Sequence, residues 1–244
     1  MNNFVFCIPS YKRSEEQLTL CYLEKMGYSN KQIYISTQTT DDYEKYAEKY
    51  SKRANIVYKE GNCVSDNRNT LLENFEKGQK IIMLDDDIKY IGSLKEKQIK
   101  PFTKEELDKF INDAFNYCEK NHSLVWGGYP VDNYYFMKAS IDKKNLLIGT
   151  IMGIIIDDYR FNTEFKVKED FEFCLQMIKN GYNCVRFNFI HAPAKHKSDG
   201  GCKEVWEKDD ECTKKILLKY PNLIKHGCKK NSILLRVDKN GRRK

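Results

Sequence analysis

With 244 residues, the chain is long enough for one large α/β domain or two small ones, and it can bury a sizeable core. No run approaches the roughly 18 apolar residues of a membrane span, and the N-terminus enters a strand-like FVFCI without a basic leader, so neither a membrane anchor nor a signal peptide is expected. The net charge of +7 is concentrated: residues 225–244 hold eight Lys or Arg against one acid, Asp238, so the rest of the chain balances to zero. A basic tail on a neutral body suits a polyanionic partner, although an AT-rich genome would also enrich Lys, Asn, Ile and Tyr without selection for binding. Nine scattered cysteines with no Cys-x-x-Cys pair point to reduced thiols and a cytoplasmic setting. Cys202, Cys212, His226 and Cys228 match no common zinc spacing.

In chain order, NFVFCIPSY predicts a strand ending at Pro9. Ser14 and Gln17 have capping-box spacing, and Leu18, Cys21, Tyr22 and Met26 form the apolar face of a helix stopped by Gly27. QIYIS predicts a second strand, followed by a polar helix near Asp41 to Lys52 and a third strand at NIVYK. A helix from about Ser65 to Lys77 turns Leu71, Leu72 and Phe75 inward, and KIIMLDDD is the fourth strand. Strands separated by such helices predict βαβ units and a parallel sheet.

The second half is mixed. Thr103 and Glu106 cap a helix with Leu107, Phe110, Ile111, Ala114, Phe115 and Cys118 on one face. LVWGGYP and LLIGTIMGIIID are glycine-punctuated apolar runs that predict strands. A helix from Glu169 to Lys179 stops at Gly181, NCVRFNFI is a last strand, and a final helix runs from about Lys203 to Tyr220.

The triple aspartate carries the most chemical information. Ile81 to Leu84 read as a strand buried on both faces, and Asp85, Asp86 and Asp87 follow it directly. Carboxylates at the C-terminal end of such a strand sit where open α/β sheets bind ligands. Alternate residues point the same way, so Asp85 and Asp87 can face one cleft and offer hard oxygen donors to Mg²⁺ or Mn²⁺. The competing reading is an acidic turn that caps the next element.

IPSYKR after the first strand, LDDD, the KEDFEFCLQMIKNGY helix and a histidine after the last strand occur in an order that resembles nucleotide-sugar glycosyltransferases of the GT-A fold. The HKSDGG loop narrows the resemblance to the TET-associated glycosyltransferases, which act on hydroxymethylated pyrimidines in DNA. The implied fold is α/β: a Rossmann-like, mostly parallel central sheet flanked by helices, with a mixed acceptor-side half. One catalytic domain would span residues 1–224, with 225–244 as a tail.

The resemblance also implies roles. Asp85 to Asp87 match the DxD element that holds a divalent metal, Mn²⁺ or Mg²⁺, on the diphosphate of a UDP-sugar; which two aspartates bind it stays open. Pro9, Ser10, Tyr11 and Arg13 match the nucleoside loop, and Asn67 and Arg68 match a nucleotide-contacting pair; Asp85 and Asp86 would also touch the donor. Glu169 and Asp170 match the acidic pair opening the acceptor-side helix, whose second carboxylate serves as general base in inverting enzymes. An acidic first helical turn is also favoured by the macrodipole alone. His196 matches a late metal ligand, with His191 as the alternative. Lys195, Lys197, Gly200 and Gly201 can contact the phosphates of a DNA acceptor. Trp126, Tyr134 and Tyr135 are candidate stacking residues for a base reached by flipping or on a single strand, with core packing as the other role open to each. A glycan, lipid or protein acceptor, a nucleotidyltransferase (for which IPSYKR lacks the glycines), and a non-catalytic nucleic-acid-binding module are the alternatives.

Overall fold

A computed structural model of the chain describes residues 3–195 and 208–236. Four strands alternate with helices through the first half: β1 (Phe4–Pro9), α1 (Leu18–Lys25), β2 (Ile33–Thr37), α2 (Thr40–Tyr50), β3 (Asn55–Tyr58), α3 (Val64–Leu72) and β4 (Lys80–Leu84). A small hairpin, β5 (Gly92–Lys95) and β6 (Gln98–Pro101), leads into α4 (Lys104–Lys120), β7 (Ser123–Gly127), β8 (Ile141–Asp142) and β9 (Ile151–Ile155). The chain continues through α5 (Glu169–Lys179), β10 (Asn183–Phe187), β11 (Ile190–His191), α6 (Asp209–Lys219), β12 (Ile224–His226) and β13 (Ile233–Leu235).

Eight strands form one sheet in the order β3-β2-β1-β4-β9-β7-β10-β8. β1, β2, β3 and β4 pair in parallel, as do β7 and β10; β9 runs antiparallel between β4 and β7, and β8 antiparallel on the far edge. This is the mostly parallel α/β sheet with a mixed second half that the sequence predicts. Its period of two sorts the central strands onto both faces. Phe6, Ile8, Ile82 and Leu84 pack with Leu20, Tyr46, Leu107 and Phe115 from α1, α2 and α4. Cys7, Ile81 and Met83 face Leu71, Leu72, Phe173 and Met177 from α3 and α5. Both faces of β1 and β4 are therefore covered, which puts their C-terminal ends at the middle of one sheet edge.

Several elements depart from the sequence reading. α3 ends at Leu72, and the second apolar run contributes only Ile151–Ile155 as main-sheet strand. Residues 225–236 are not a detached tail. β12 and β13 pair as a hairpin, Ile224 and Ile233 pack with Leu175, Cys212 and Ile216, and Arg236 donates to the carbonyls of Pro221 (3.0 Å) and Ile224 (2.9 Å). The apolar residues of SILLRV drive this packing. Residues 237–244 lie outside the described part. Among the described residues no helix is long and apolar enough to cross a membrane, and eight cysteines are free thiols.

Trp126 fixes the centre of the second half. Its ring is fully buried, edge-on to Phe110 (5.3 Å), Phe115 (5.9 Å) and Phe187 (5.9 Å). It lies over the bare face of its strand partner Gly153, where an added Cβ would collide with the indole. Gly153→Ala should therefore cost about 1–3 kcal/mol through overpacking. Urea denaturation checks this, and a wild-type midpoint would mean that the indole does not rest on Gly153.

Candidate active site

The edge formed by the ends of β1 and β4 carries the acidic triplet, and its members part ways. Asp86 is only 6% exposed and turns into the loop after β1. It accepts a hydrogen bond from Ser10 Oγ (2.5 Å) and forms an ion pair with Arg13. Ser10 Oγ in turn meets Tyr46 OH (2.7 Å) and Gln17 Nε2 (2.9 Å), while Asn67 Nδ2 donates to the Ser10 carbonyl (2.8 Å). Burial pushes the Asp86 carboxyl up to about 6, against the pull of Arg13. Asp86, grouped with the donor-binding residues on sequence grounds, is thus taken up by the protein itself.

Asp85 and Asp87 stay on the accessible side of the strand end. Arg68 Nη2 lies 3.3 Å from Asp85, and Arg13 Nη1 lies 3.2 Å from Asp87. The Asp87 carboxyl is raised first by burial and then by the Asp85 charge, so the two carboxylates are close enough to repel each other. Thr19 on α1 fastens the backbone beneath them. Its hydroxyl donates to the Asp85 carbonyl (2.5 Å) and accepts from Ile88 N–H (2.9 Å), and its own N–H donates to the Asp86 carbonyl (3.2 Å).

Arg68, buried on α3, connects the triplet to the start of α5. Its Nη1 lies 3.5 Å from Glu169 Oε1, and its guanidinium packs over the Phe161 ring. Gly149 makes room for it, since a Cβ there would overlap both terminal nitrogens. The Gly149 N–H donates to Asp170 Oδ2 (2.9 Å), and the Phe171 N–H to Oδ1 (2.7 Å). Burial raises both acids of this pair, Glu169 to about 7, with Arg68 opposing the rise. Lys168 enters the helix in the left-handed region (φ 61°), which sets the entry angle of the acidic turn.

The loop after β11 runs alongside the triplet. Ile88 bridges Ala194, Lys89 N–H donates to the Pro193 carbonyl (2.9 Å), and Lys195 N–H donates to the Asp87 carbonyl (3.0 Å). The Lys195 ammonium reaches Glu16 (2.7 Å). His196, Lys197, Gly200 and Gly201 lie outside the described residues. His191 is buried, with Nδ1 donating to the Tyr129 carbonyl (2.8 Å). Tyr11 is half-buried beside the Lys12 ammonium, and Pro9 closes β1. Trp126 is a correction: full burial in the core removes it from any acceptor.

Sequence reasoning missed Thr19, Gln17, Tyr46 and Gly149. Gln17 has capping-box spacing from Ser14, but it is the buried N-cap residue of α1 and spends its amide on Ser10, the Arg13 carbonyl and Tyr46. Its spacing from Ser14 gave the wrong signal, and Tyr46 gave only that of an inward aromatic on a polar helix.

The sequence matches the TET-Associated Glycosyltransferase family over residues 4–201, a span that holds every element of this edge. The chain belongs to that family. No curated protein matches it. Solved structures share the fold at low identity. The mannosyltransferase PcManGT from Pyrobaculum calidifontis, in complex with GDP-Man and Mn²⁺, aligns with a TM-score of 0.56 at 14% identity, over 90% of this chain and 64% of that one. S. aureus TarS 1-349 aligns with a TM-score of 0.51 at 19% identity, over 90% and 66%. The chain thus spans somewhat less than two thirds of the length of either. These likenesses establish the GT-A-like fold for this TET-associated glycosyltransferase.

The raised Glu169 carboxyl has a consequence for stability. A carboxyl whose folded pKa lies above its ordinary 4.5 stabilises the fold below that value and loses this contribution as pH rises through about 7. In EDTA, the urea midpoint should fall across that interval, and Glu169→Gln should flatten part of the fall. An unaltered pH profile in the variant would place Glu169 in water.

Proposed function

We propose that this glycosyltransferase moves a sugar from a UDP-sugar to the hydroxyl of a hydroxymethylated pyrimidine in DNA, with inversion and with Mg²⁺ or Mn²⁺ as cofactor. The observation that carries this reading is the double engagement of Arg68. One guanidinium reaches both Asp85 at the end of β4 and Glu169 at the start of α5, so the acidic strand end and the acidic helix start lie side by side.

Asp85 and Asp87 fit a hard divalent ion. They are two oxygen donors on one side of a strand end, mutually repelling, in a setting with two nearby arginines. Among the described residues no third His, Cys, Asp or Glu joins them, and His196, outside those residues, is the proposed further ligand. When bound, the ion would neutralise charge on the departing diphosphate. Arg68 Nη2 can turn from Asp85 toward a phosphate oxygen while Nη1 stays on Glu169, and Arg13 stays on Asp86. The GDP-Man and Mn²⁺ recorded in the mannosyltransferase complex support a nucleotide sugar and a divalent ion here.

Asp170 is the proposed base. Each of its oxygens accepts one backbone N–H, which orients the carboxylate and leaves lone pairs for a proton. The acceptor oxygen attacks the anomeric carbon from the side opposite the diphosphate. The bond from that carbon to the diphosphate oxygen breaks, its electron pair leaves with UDP, and the hydroxyl proton passes to Asp170. Burial raises the proton affinity of this carboxylate, which suits the transfer. Glu169, in the same reading, holds Arg68.

The DNA acceptor is supported by the family and by exposed Lys225, Lys229 and Lys230 on the C-terminal hairpin. Incubation with UDP-glucose, Mn²⁺ and DNA containing hydroxymethylcytosine should release UDP, whereas unmodified DNA should not. Asp170→Asn should lower turnover by about 10²- to 10⁴-fold with donor affinity retained. UDP release that ignores the DNA, or a variant that loses donor affinity at unchanged turnover, would contradict the scheme.

A further inference from the structure

The segment between β7 and β8 exposes aromatic rings in an unusual concentration. Tyr135 is 77% exposed and Phe136 61%, and the rings of Tyr134 and Tyr135 stack at 4.2 Å with planes 28° apart. Exposed rings cost solvation, and the core of this fold does not need them.

The segment is held firmly at its base. Tyr129 N–H donates to the Ile190 carbonyl (2.6 Å), its carbonyl accepts from His191, Met137 is buried, and Lys138 N–H donates to the Asn188 carbonyl (3.2 Å). The turn itself is closed by Tyr135 N–H to Asn133 Oδ1 (3.0 Å) and Met137 N–H to the Tyr134 carbonyl (3.1 Å). It leaves β7 at the same sheet edge as the acidic triplet, because β7 runs parallel to β4 with β9 antiparallel between them. The strand that anchors it, β11, continues into the residues bonded to Lys89 and Asp87.

Close to the rings, Lys138 is exposed two residues after Phe136, and Arg186 lies over the Tyr129 ring at 5.6 Å at the base of the segment. Asp142 is engaged by Arg186 (3.3 Å) and Asn188 (2.9 Å), and Asp132 is the other acid of the segment. Stacked flat rings beside an exposed lysine, at the end of the sheet that carries the acidic triplet, match a strand that presents both π-faces and phosphates.

We propose that Tyr134, Tyr135 and Phe136 form a stacking platform for unpaired nucleobases of the acceptor strand, next to the pyrimidine that receives the sugar. The inference rests on the DNA-acceptor reading above and adds the requirement for unpaired bases. Bases inside a duplex have no free faces, so a single-stranded or mismatched acceptor should be preferred over a fully paired one.

Fluorescence anisotropy with a single-stranded oligonucleotide, without donor or metal, tests the platform. Tyr135→Ala and Phe136→Ala should each weaken binding by about 5- to 100-fold, the range of one lost base stack. Tyr135→Phe should bind as wild type. An abasic strand, which offers phosphates alone, should bind all variants equally. The side chains are exposed, so thermal melts should be unchanged. Steady-state transfer should show the loss in the acceptor KM with donor KM preserved. If the wild type glycosylates modified DNA while the alanine variants keep its affinity, the platform is wrong and the function stands. If the wild type binds strands through these rings yet transfers nothing to modified DNA, the platform stands and the function fails. If it binds no strand, both fall. Concentration-dependent self-association abolished by Tyr135→Ala, with DNA affinity unchanged, would assign the rings to a second copy of this chain and overturn the platform.

Discussion

The ion pair between half-buried Arg13 and buried Asp86 is the contact on which the rest of the site depends. Asp86 sits in the middle of the triplet and is almost fully removed from water. A buried charge stripped of its partner typically costs about 3–5 kcal/mol, so the strand end cannot rotate without a large penalty. Ser10, held by Tyr46, Gln17 and Asn67, provides the second fixed partner. Asp86 and Asp87 lie in the turn that follows β4, and anchoring the middle aspartate there leaves the outer two on the accessible side. The position of Asp85 and Asp87 follows from what Asp86 does.

The two arginines divide the acidic groups between them. Arg13 serves Asp86 and Asp87, while Arg68 serves Asp85 and Glu169. Without a ligand, four carboxylates thus share two cations, and burial raises three of them, Asp86, Asp87 and Glu169. A divalent ion and a diphosphate together bring near-balanced charge to such a place, with Arg68 already within reach. The bare face of Gly149 is what lets Arg68 span the distance from α3 to α5.

Much of this was legible in the sequence where a local rule and the tertiary context agree. The unbroken run Ile81–Leu84 forms a central strand, and Glu169–Lys179 forms a helix with an acidic first turn and a glycine just beyond its end. Thr103 and Glu106 form the predicted capping box. The rest depended on partners distant in sequence. Gln17 had cap spacing, but Ser10 and Tyr46 offered its amide buried partners. The basic C-terminal segment looked like a tail because its charge outweighed the short apolar stretch that seats it on α6. Trp126 reads alike as a stacking ring or a core ring until Gly153, on the neighbouring strand, supplies the surface it covers. The antiparallel position of β9 has no local signature, since a buried strand reads the same in either direction.

The claim that the triplet is divided into one structural and two accessible carboxylates is tested most directly by Mn²⁺ binding measured beside thermal stability in EDTA. Asp85→Asn and Asp87→Asn should each weaken Mn²⁺ binding at least tenfold while melting at or above the wild-type temperature, because each relieves repulsion at an accessible site. Asp86→Ala should instead lower the melting temperature markedly, because Ser10 and Arg13 lose the buried oxygens they bond. A stable Asp86→Ala that no longer binds Mn²⁺, together with destabilised Asp85 and Asp87 variants that still bind it, would contradict the account.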